Sequence, residues 1–70
     1  MTARKAAFRK GDVTVELEAL GDGNGTIQLR ETDRVLRRYM LQDGETVDRY
    51  WDEWISELEA NSWRRLPTLV

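Results

Sequence analysis

The sequence contains no histidine and no cysteine. Without cysteine, the chain can form neither disulfide bonds nor thiolate metal sites. Without histidine, it lacks the side chain that most often acts as a general base near neutral pH. The Ser–His and Cys–His arrangements of nucleophilic catalysis therefore cannot be built within one copy of this chain. We accordingly predict a protein that is not an enzyme and that has no catalytic residues, no metal site and no cofactor.

Long apolar runs are also missing. No stretch approaches the roughly 20 apolar residues that cross a bilayer. The first residues, Met1 to Asp12, carry charges but no apolar segment of the kind found in secretion signals. We therefore expect a cytoplasmic protein that does not bind membranes. The 70 residues form one small domain, and its stability should be marginal because so short a chain buries only about 60% of its unfolded surface.

Charged and aromatic residues are abundant instead. The chain has 11 basic and 13 acidic residues, a net charge of −2, together with three tryptophans, two tyrosines and one phenylalanine. Because the apolar residues are periodic and rich in aromatic rings, the composition favours a folded domain over a disordered chain. The rings supply much buried area for a small core. Dimerisation is the other way to gain such area, so both a monomer and a homodimer are compatible with the sequence.

The stretch from Glu45 to Ala60 has the pattern of an amphipathic helix. Its apolar side chains fall within an arc of about 140° when each residue turns the helix by roughly 100°. We expect Asp43 or Thr46 to be the N-cap, and Asn61 to end the helix in the left-handed conformation. The residues of the apolar face are Val47, Tyr50, Trp51, Trp54, Ile55 and Leu58.

The same stretch is strongly acidic. Six acidic side chains and the single base Arg49 give it a charge of −5, so the rest of the chain, out of a total of −2, sums to +3. Glu57 and Glu59 lie near the C-terminal end, where negative charge opposes the helix dipole. We interpret this as a sign that the acidic surface binds a basic protein or mimics the charge of nucleic acid. The predicted partner-binding residues are Glu45, Asp48, Asp52, Glu53, Glu57 and Glu59.

Arginines outside this stretch allow two other interpretations. If Arg64, Arg65 or Arg37 folds back onto the helix, the acidic surface is neutralised and needs no partner. If Arg34 and Arg38 share a sheet face with an aromatic ring, they can hold single-stranded nucleic acid through stacking and phosphate contacts. The acidic residues interspersed among them make nucleic acid the less favoured partner. The residues of this alternative site are Arg30, Arg34, Arg37, Arg38, Arg64 and Arg65.

Alternation of apolar and polar residues predicts two strands, Asp12 to Leu20 and Thr26 to Glu31. The residues between them, GDGNG, tolerate the backbone conformations of a hairpin loop. Arg30 of the second strand is expected to lie opposite Glu16 or Glu18 of the first, as a cross-strand pair of opposite charge.

Three further segments are less regular. Thr32 to Leu41 fits either a short helix or a strand, and we favour a third antiparallel strand after a tight turn at Thr32 and Asp33, because consecutive strands usually lie side by side. The segment Ala3 to Arg9 forms either another strand or a frayed end. Trp63 to Leu66 is extended, with an edge strand as one possibility, and residues 67–70 form a tail.

Together these segments predict an α+β domain, in which a three- or four-stranded antiparallel meander is covered on one face by a helix over about 45–60. In architecture this domain is similar to many small proteins encoded by phages and prophages, including some anti-CRISPR inhibitors. We predict a non-catalytic module that binds a larger protein with a basic surface and can act as its inhibitor. Nucleic-acid binding is the alternative. The expected core residues are Val13, Val15, Leu17, Ile27, Leu29, Trp51, Trp54, Ile55 and Leu58.

Overall fold

The chain forms an α+β domain, in which one antiparallel sheet is covered on one face by a helix. The computed structural model describes residues 2–21 and 23–67. Within these residues the sheet has five strands in the order β4-β3-β2-β1-β5. The elements are β1 (Thr2–Lys10), β2 (Val13–Leu20), β3 (Thr26–Glu31), β4 (Arg34–Met40), α1 (Val47–Ala60) and β5 (Arg64–Arg65). The predicted meander with one packed helix is confirmed, while residues 68–70 of the predicted tail lie outside the described residues.

The helix connects the two edges of the sheet. It follows β4, the strand at one edge, and precedes β5, which pairs with β1 at the other edge. The chain therefore has to pass across a sheet face between these strands, and the helix is the segment that does so. All three segments that the sequence left open contain strands: β1 in place of a frayed end, β4 as favoured, and β5 as allowed, so the sheet has one strand more than the three or four predicted.

Two of the hairpins have two-residue turns. Lys10 pairs with Val13 across Gly11 and Asp12, and Glu31 pairs with Arg34 across Thr32 and Asp33. In both turns the first residue has a positive φ, 60° at Gly11 and 52° at Thr32. Glycine adopts this conformation without steric penalty, whereas a β-branched threonine is strained there by about 1–3 kcal/mol. The β3–β4 turn thus forms where predicted, with an unusual residue at its first position.

The strand registers place the apolar side chains on the face that the helix covers. Phe8 lies opposite Val15, and one continuous row crosses four strands through Ala6, Leu17, Leu29 and Arg37. The buried apolar residues of the resulting core are Ala6, Phe8, Val15, Leu17, Ala19, Ile27, Leu41, Trp51, Trp54 and Leu58. We call the opposite side of the sheet the open face.

The core differs from the predicted one at its margins. Val13 was expected to be buried, but 40% of its surface is exposed. The reason is its place beside the Gly11–Asp12 turn, at the end of a hairpin, where alternation continues but the core has ended. Leu29 and Ile55 are only partly buried and pack against the core. Phe8, which the sequence pattern did not single out, is fully buried.

The helix begins two residues later than predicted, at Val47, with Thr46 as its N-cap. The side chain of Thr46 makes no capping hydrogen bond, so Asp48 in the first turn is the residue that complements the helix dipole. The backbone of Gly25 passes close to this end, since a Cβ atom there would lie 3.2 Å from Cγ2 of Val47. The glycine-rich loop therefore allows the helix to approach the sheet.

The helix ends in a Schellman motif. The amide of Ser62 donates to the carbonyl of Glu59 at 3.1 Å, and the amide of Trp63 donates to the carbonyl of Leu58 at 3.0 Å. The left-handed residue is Ser62, with a φ of 71°, whereas Asn61, which we expected in this conformation, has a φ of −98°. The prediction placed the turn one residue too early. The motif brings Trp63 back against the helix that precedes it.

Candidate interaction surfaces

The acidic surface of α1 lies on the side of the helix opposite its buried residues. Trp51, Trp54 and Leu58 are buried against the sheet, so the opposite side of the helix faces outward. The acidic side chains of the helix, Asp48, Asp52, Glu53, Glu57 and Glu59, all belong to exposed residues. Helix geometry divides them between two edges, with Asp48, Asp52 and Glu59 on one edge and Glu53 and Glu57 on the other.

An arginine from the sheet contacts each edge. Arg4 of β1 pairs with Asp48 and lies 5.9 Å from the ring of Trp51. Arg37 of β4 lies 4.2 Å from the ring of Trp54, and its Nη1 atom is 2.8 Å from Oε2 of Glu57. Both ion pairs are solvent-exposed, so each contributes only about 0–1 kcal/mol. The neutralising role considered for Arg37 is therefore real but confined to one carboxylate.

Glu45 serves a different purpose from the helical carboxylates. It precedes the helix, and its carboxylate accepts hydrogen bonds from the hydroxyl of Tyr50, the hydroxyl of Tyr39 at 2.8 Å and the amide of Gln42 at 2.6 Å. These donors, that of Tyr50 above all, lower the pKa of Glu45, and the carboxylate in turn raises the pKa of Tyr50. Because its oxygens are engaged inside the domain, we leave Glu45 out of the surface offered to a partner.

Three acidic side chains of the helix, Asp52, Glu53 and Glu59, have no ionic partner among residues 2–21 and 23–67. The last turn of the helix contains no basic residue. Of the three arginines expected as possible neutralisers, Arg64 and Arg65 form no ion pair with the helix in the described part of the chain. The exposed helix surface thus keeps an excess of negative charge.

An apolar cleft of about 160 Å³ opens between the C-terminal half of the helix and the sheet. Trp63 forms one wall, because the Schellman motif turns it back over Leu58. The sequence pattern does not predict this cleft, because the cleft forms only with the conformation that Ser62 adopts. The signal that the sequence does contain is a tryptophan directly after the end of the helix. The lining residues are Leu29, Arg37, Trp54, Glu57, Leu58, Asn61 and Trp63.

The structure disperses the arginines of the alternative nucleic-acid site. Arg37 and Arg38 are neighbours in β4 and point to opposite faces of the sheet, where Arg38 donates from Nε to Oε1 of Gln28 at 3.2 Å. Arg64 and Arg65 lie at the far edge of the sheet, in β5. Arg34 is exposed beside the Thr32–Asp33 turn.

Arg30 is engaged in an ion-pair network on the open face. As predicted, it lies opposite Glu16, with Nη2 at 3.5 Å from Oε1 of Glu16 and at 2.6 Å from Oε1 of Glu18. Lys5 contacts Glu16 from the other side at 2.7 Å, and its hydrogen bond is the main cause that lowers the pKa of Glu16. The side chain of Glu18 is only 6% exposed although no helix covers this face. Arg30 is therefore engaged by two carboxylates, one of them buried, which offset the charge it would offer to a phosphate.

All six aromatic residues of the chain lie on the helix side of the sheet. They are Phe8, Trp51 and Trp54 in the core, with Tyr39, Tyr50 and Trp63 packed against it. The open face consequently presents cations without rings. Stacking on bases, which the alternative site requires, has no platform there.

Other classes of site receive no support from the described residues. In the described ranges, no group of three or more acidic side chains is placed to hold a metal ion. The helix described here has neither the length nor the apolar character needed to cross a bilayer. Comparisons with protein-family models, with curated proteins and with solved structures find no match to this chain.

Proposed function

We propose that this protein is a non-catalytic binding module that engages a larger, basic protein through one edge of the acidic surface of α1, the edge beside the cleft that carries Glu53 and Glu57. The observation that carries the proposal is the cleft beside the helix, which is lined by the buried Trp54 and the half-buried Trp63 next to Glu57. Buried apolar anchors within a polar rim are the typical anatomy of a protein interface. The occupant that fits is a basic segment with one aliphatic or aromatic side chain that enters the cleft.

The charges around the cleft suit such a segment. Glu53 lies one turn before Glu57 on the same helix edge, and it has no ion pair among the described residues. The pair between Glu57 and Arg37 is exposed, so a basic group of the partner can share or replace it at little cost. Complementary charge would speed association and align the partner.

Binding alone makes such a protein a regulator of its partner. By occupying a surface that the partner needs for its own work, it would act as an inhibitor, and we propose that it is an inhibitor of the phage or prophage type. We propose that this interaction takes place in the cytoplasm, a reducing compartment in which proteins rarely contain disulfide bonds.

The test compares the two edges of the same helix. One variant carries Glu53→Lys and Glu57→Lys at the cleft; the matched control carries Asp52→Lys and Glu59→Lys on the opposite edge, with the same change in charge. Affinity-tagged wild type and both variants, each checked for folding by circular dichroism, are used to capture and identify partners from nuclease-treated extract of the source cells. We expect wild type and control to retain a protein with a basic surface that the cleft variant loses.

The identified protein is then purified and titrated into the three forms. We expect its affinity for the cleft variant to be at least about tenfold weaker than for the control, because two rim charges are reversed. Equal binding by all three forms, or loss only in the control variant, would contradict the proposal. A parallel capture from untreated extract is the comparison for nucleic acid: a protein retained from untreated extract and lost from nuclease-treated extract would favour the nucleic-acid alternative instead.

A further inference from the structure

A second pocket lies at the other edge of the sheet, where the β1–β2 turn meets β5. Its volume is about 420 Å³. Three of its lining residues are cations, and none is acidic, in contrast to the ion-paired lysine and arginines on the rest of the sheet. The lining residues are Arg9, Lys10, Gly11, Ser62, Arg64 and Leu66. The proposed partner surface does not include this pocket, and Arg64 is the one lining residue that also belongs to the alternative site predicted from the sequence.

The register holds two like charges face to face. Arg9 of β1 is the direct partner of Arg64 in β5, and side chains directly opposite each other on paired strands are in contact range. Like charges at such positions destabilise a sheet. Elsewhere in the same sheet Arg30 lies directly opposite Glu16, so that pair joins opposite charges, whereas Arg9 and Arg64 join like charges. An anion between the two arginines would turn this repulsion into attraction.

Arg9 and the backbone around the pocket are also positioned before any ligand arrives. Arg9 donates from Nε to the carbonyl of Gly11 at 2.9 Å, which orients its guanidinium and leaves the Nη groups without another hydrogen bond to the described residues. The amide of Leu66 donates to the carbonyl of Ala7 at 2.8 Å and fixes β5 beside β1. Ser62 is fixed by the Schellman motif at the end of the helix. Groups ordered in advance lose little entropy when a ligand binds.

We propose that this pocket binds a phosphate group. Guanidinium groups bind phosphate through paired, charge-assisted hydrogen bonds, and a lysine beside them adds a point charge. A terminal phosphate carries up to two negative charges, which matches three cations better than the single charge of a carboxylate, and a nucleic-acid backbone supplies one charge at each successive phosphodiester. The group can belong to a small phosphate compound or to the phosphodiester backbone of a nucleic acid. In either case recognition rests on Arg9, Lys10 and Arg64 and requires no base stacking.

The experiment uses pyrophosphate as the small probe and a labelled single-stranded oligonucleotide as the phosphodiester probe, both at low ionic strength. The pocket variant is Arg9→Gln with Arg64→Gln. The matched control, Arg34→Gln with Arg38→Gln, removes the same charge from β4 at the opposite edge. We expect pyrophosphate to raise the melting temperature of wild type and control but not of the pocket variant, and the dissociation constant to increase by about tenfold or more in that variant.

A measurement on wild type alone covers the case in which the pocket variant does not fold. Pyrophosphate should shift the amide resonances of Lys10, Gly11 and Arg64 in an NMR titration and leave those of the helix centre unchanged. Oligonucleotide binding that needs the pocket arginines and is displaced by pyrophosphate would assign the phosphate to a nucleic acid; binding of pyrophosphate alone would assign it to a small compound. No response of the pocket amides, or equal responses of control and pocket variant, would overturn the proposal.

Discussion

At the scale of single residues, Glu45 shows how one carboxylate can join two elements. Its hydrogen bonds reach Tyr39 of β4 and Tyr50 of α1, whose rings are 4.8 Å apart. The sequence places Glu45 among the acidic residues of a helix and so predicts an outward-facing charge. Its actual role depends on the helix starting two residues later, so that Glu45 precedes the helix and its carboxylate lies within hydrogen-bond distance of both tyrosine hydroxyls. Charge counting cannot distinguish these two roles.

The hydrogen bonds of Glu45 predict a dependence of stability on pH. Its pKa is lowered from the ordinary value of 4.5 in the folded protein, so the unfolded chain takes up this proton at a higher pH than the folded chain. The contribution of Glu45 to the free energy of unfolding is thus complete above about pH 4.5 and is lost as the pH falls through the folded-state pKa. Urea denaturation between pH 7 and pH 3 should show a shallower decline for Glu45→Gln than for wild type.

A control separates this effect from general acid destabilisation. Glu53→Gln removes an exposed carboxylate that makes no described hydrogen bond, and its stability should follow the wild-type curve. The account of Glu45 fails if Glu45→Gln and Glu53→Gln lose stability in parallel with wild type as the pH falls.

At the scale of elements, the helix is clamped to the sheet by an arginine on each side. Arg4 and Arg37 come from strands on either side of β2 and β3, and each lies against one tryptophan and one carboxylate of the helix. Arg37 is the charged exception in the row that it shares with Ala6, Leu17 and Leu29 on the helix side of the sheet. The structure explains the exception, because the aliphatic stem of an arginine covers apolar surface while its guanidinium reaches a ring and a carboxylate at the edge.

This clamp predicts a loss of stability in Arg37→Ala. We expect the free energy of unfolding to decrease by about 1–2 kcal/mol, the sum of a cation–π contact and an exposed ion pair. Arg37→Lys should recover only part of the loss, because an ammonium keeps the ion pair but not the planar contact with Trp54. Urea denaturation measures both changes.

The matched control is Arg34→Ala, which removes an exposed arginine from the same strand and should alter stability by less than about 0.5 kcal/mol. Equal effects of Arg34→Ala and Arg37→Ala would show that the contact with Trp54 adds nothing. Repeating the series at high salt weakens the ion pair and leaves the ring contact as the remaining difference.

At the scale of the whole molecule, local stability should be lowest where β5 joins the sheet. β5 has two residues, whereas β2 has eight and is paired on both sides. We predict that hydrogen exchange is slow for the amides of Leu17 and Ala19 and fast for that of Leu66, because short edge strands open without global unfolding. NMR-detected exchange measures this order directly. Equal protection of Leu66 and Leu17 would mean that β5 opens only when the whole domain unfolds.

Periodicity in the sequence was sufficient to predict the central hairpin, the helix and the α+β class. Alternation in β2 and β3 and the three-to-four spacing in α1 are local signals, and the structure bears them out. Periodicity was not sufficient to predict burial at Val13, where alternation runs past the end of the core. It was also not sufficient at Phe8, whose strand has too many small and basic residues to alternate clearly.

The two surfaces of functional interest were harder to predict. The cleft requires Trp63 to return to the helix, and the basic pocket requires Arg64 to meet Arg9 across paired strands. Both contacts depend on the backbone of Ser62 and on the register of a two-residue strand. Neither contact is encoded in a local sequence pattern. The acidic residues of the helix predict a charged surface, whereas the cleft and the basic pocket also require residues that are distant in sequence to pack together.

The order of the elements along the chain also determines which contacts can form first during folding. β1 to β4 pair with their neighbours in sequence, so the meander can assemble before the helix docks on it. Until the helix docks, Phe8, Leu17 and Ile27 have no cover, and the uncovered sheet is prone to aggregation. The outer edge of β1 stays unpaired for longer still, because the strand that pairs with it there is β5, which follows the helix. The two arginines of that strand complete the sheet and the basic pocket in a single step.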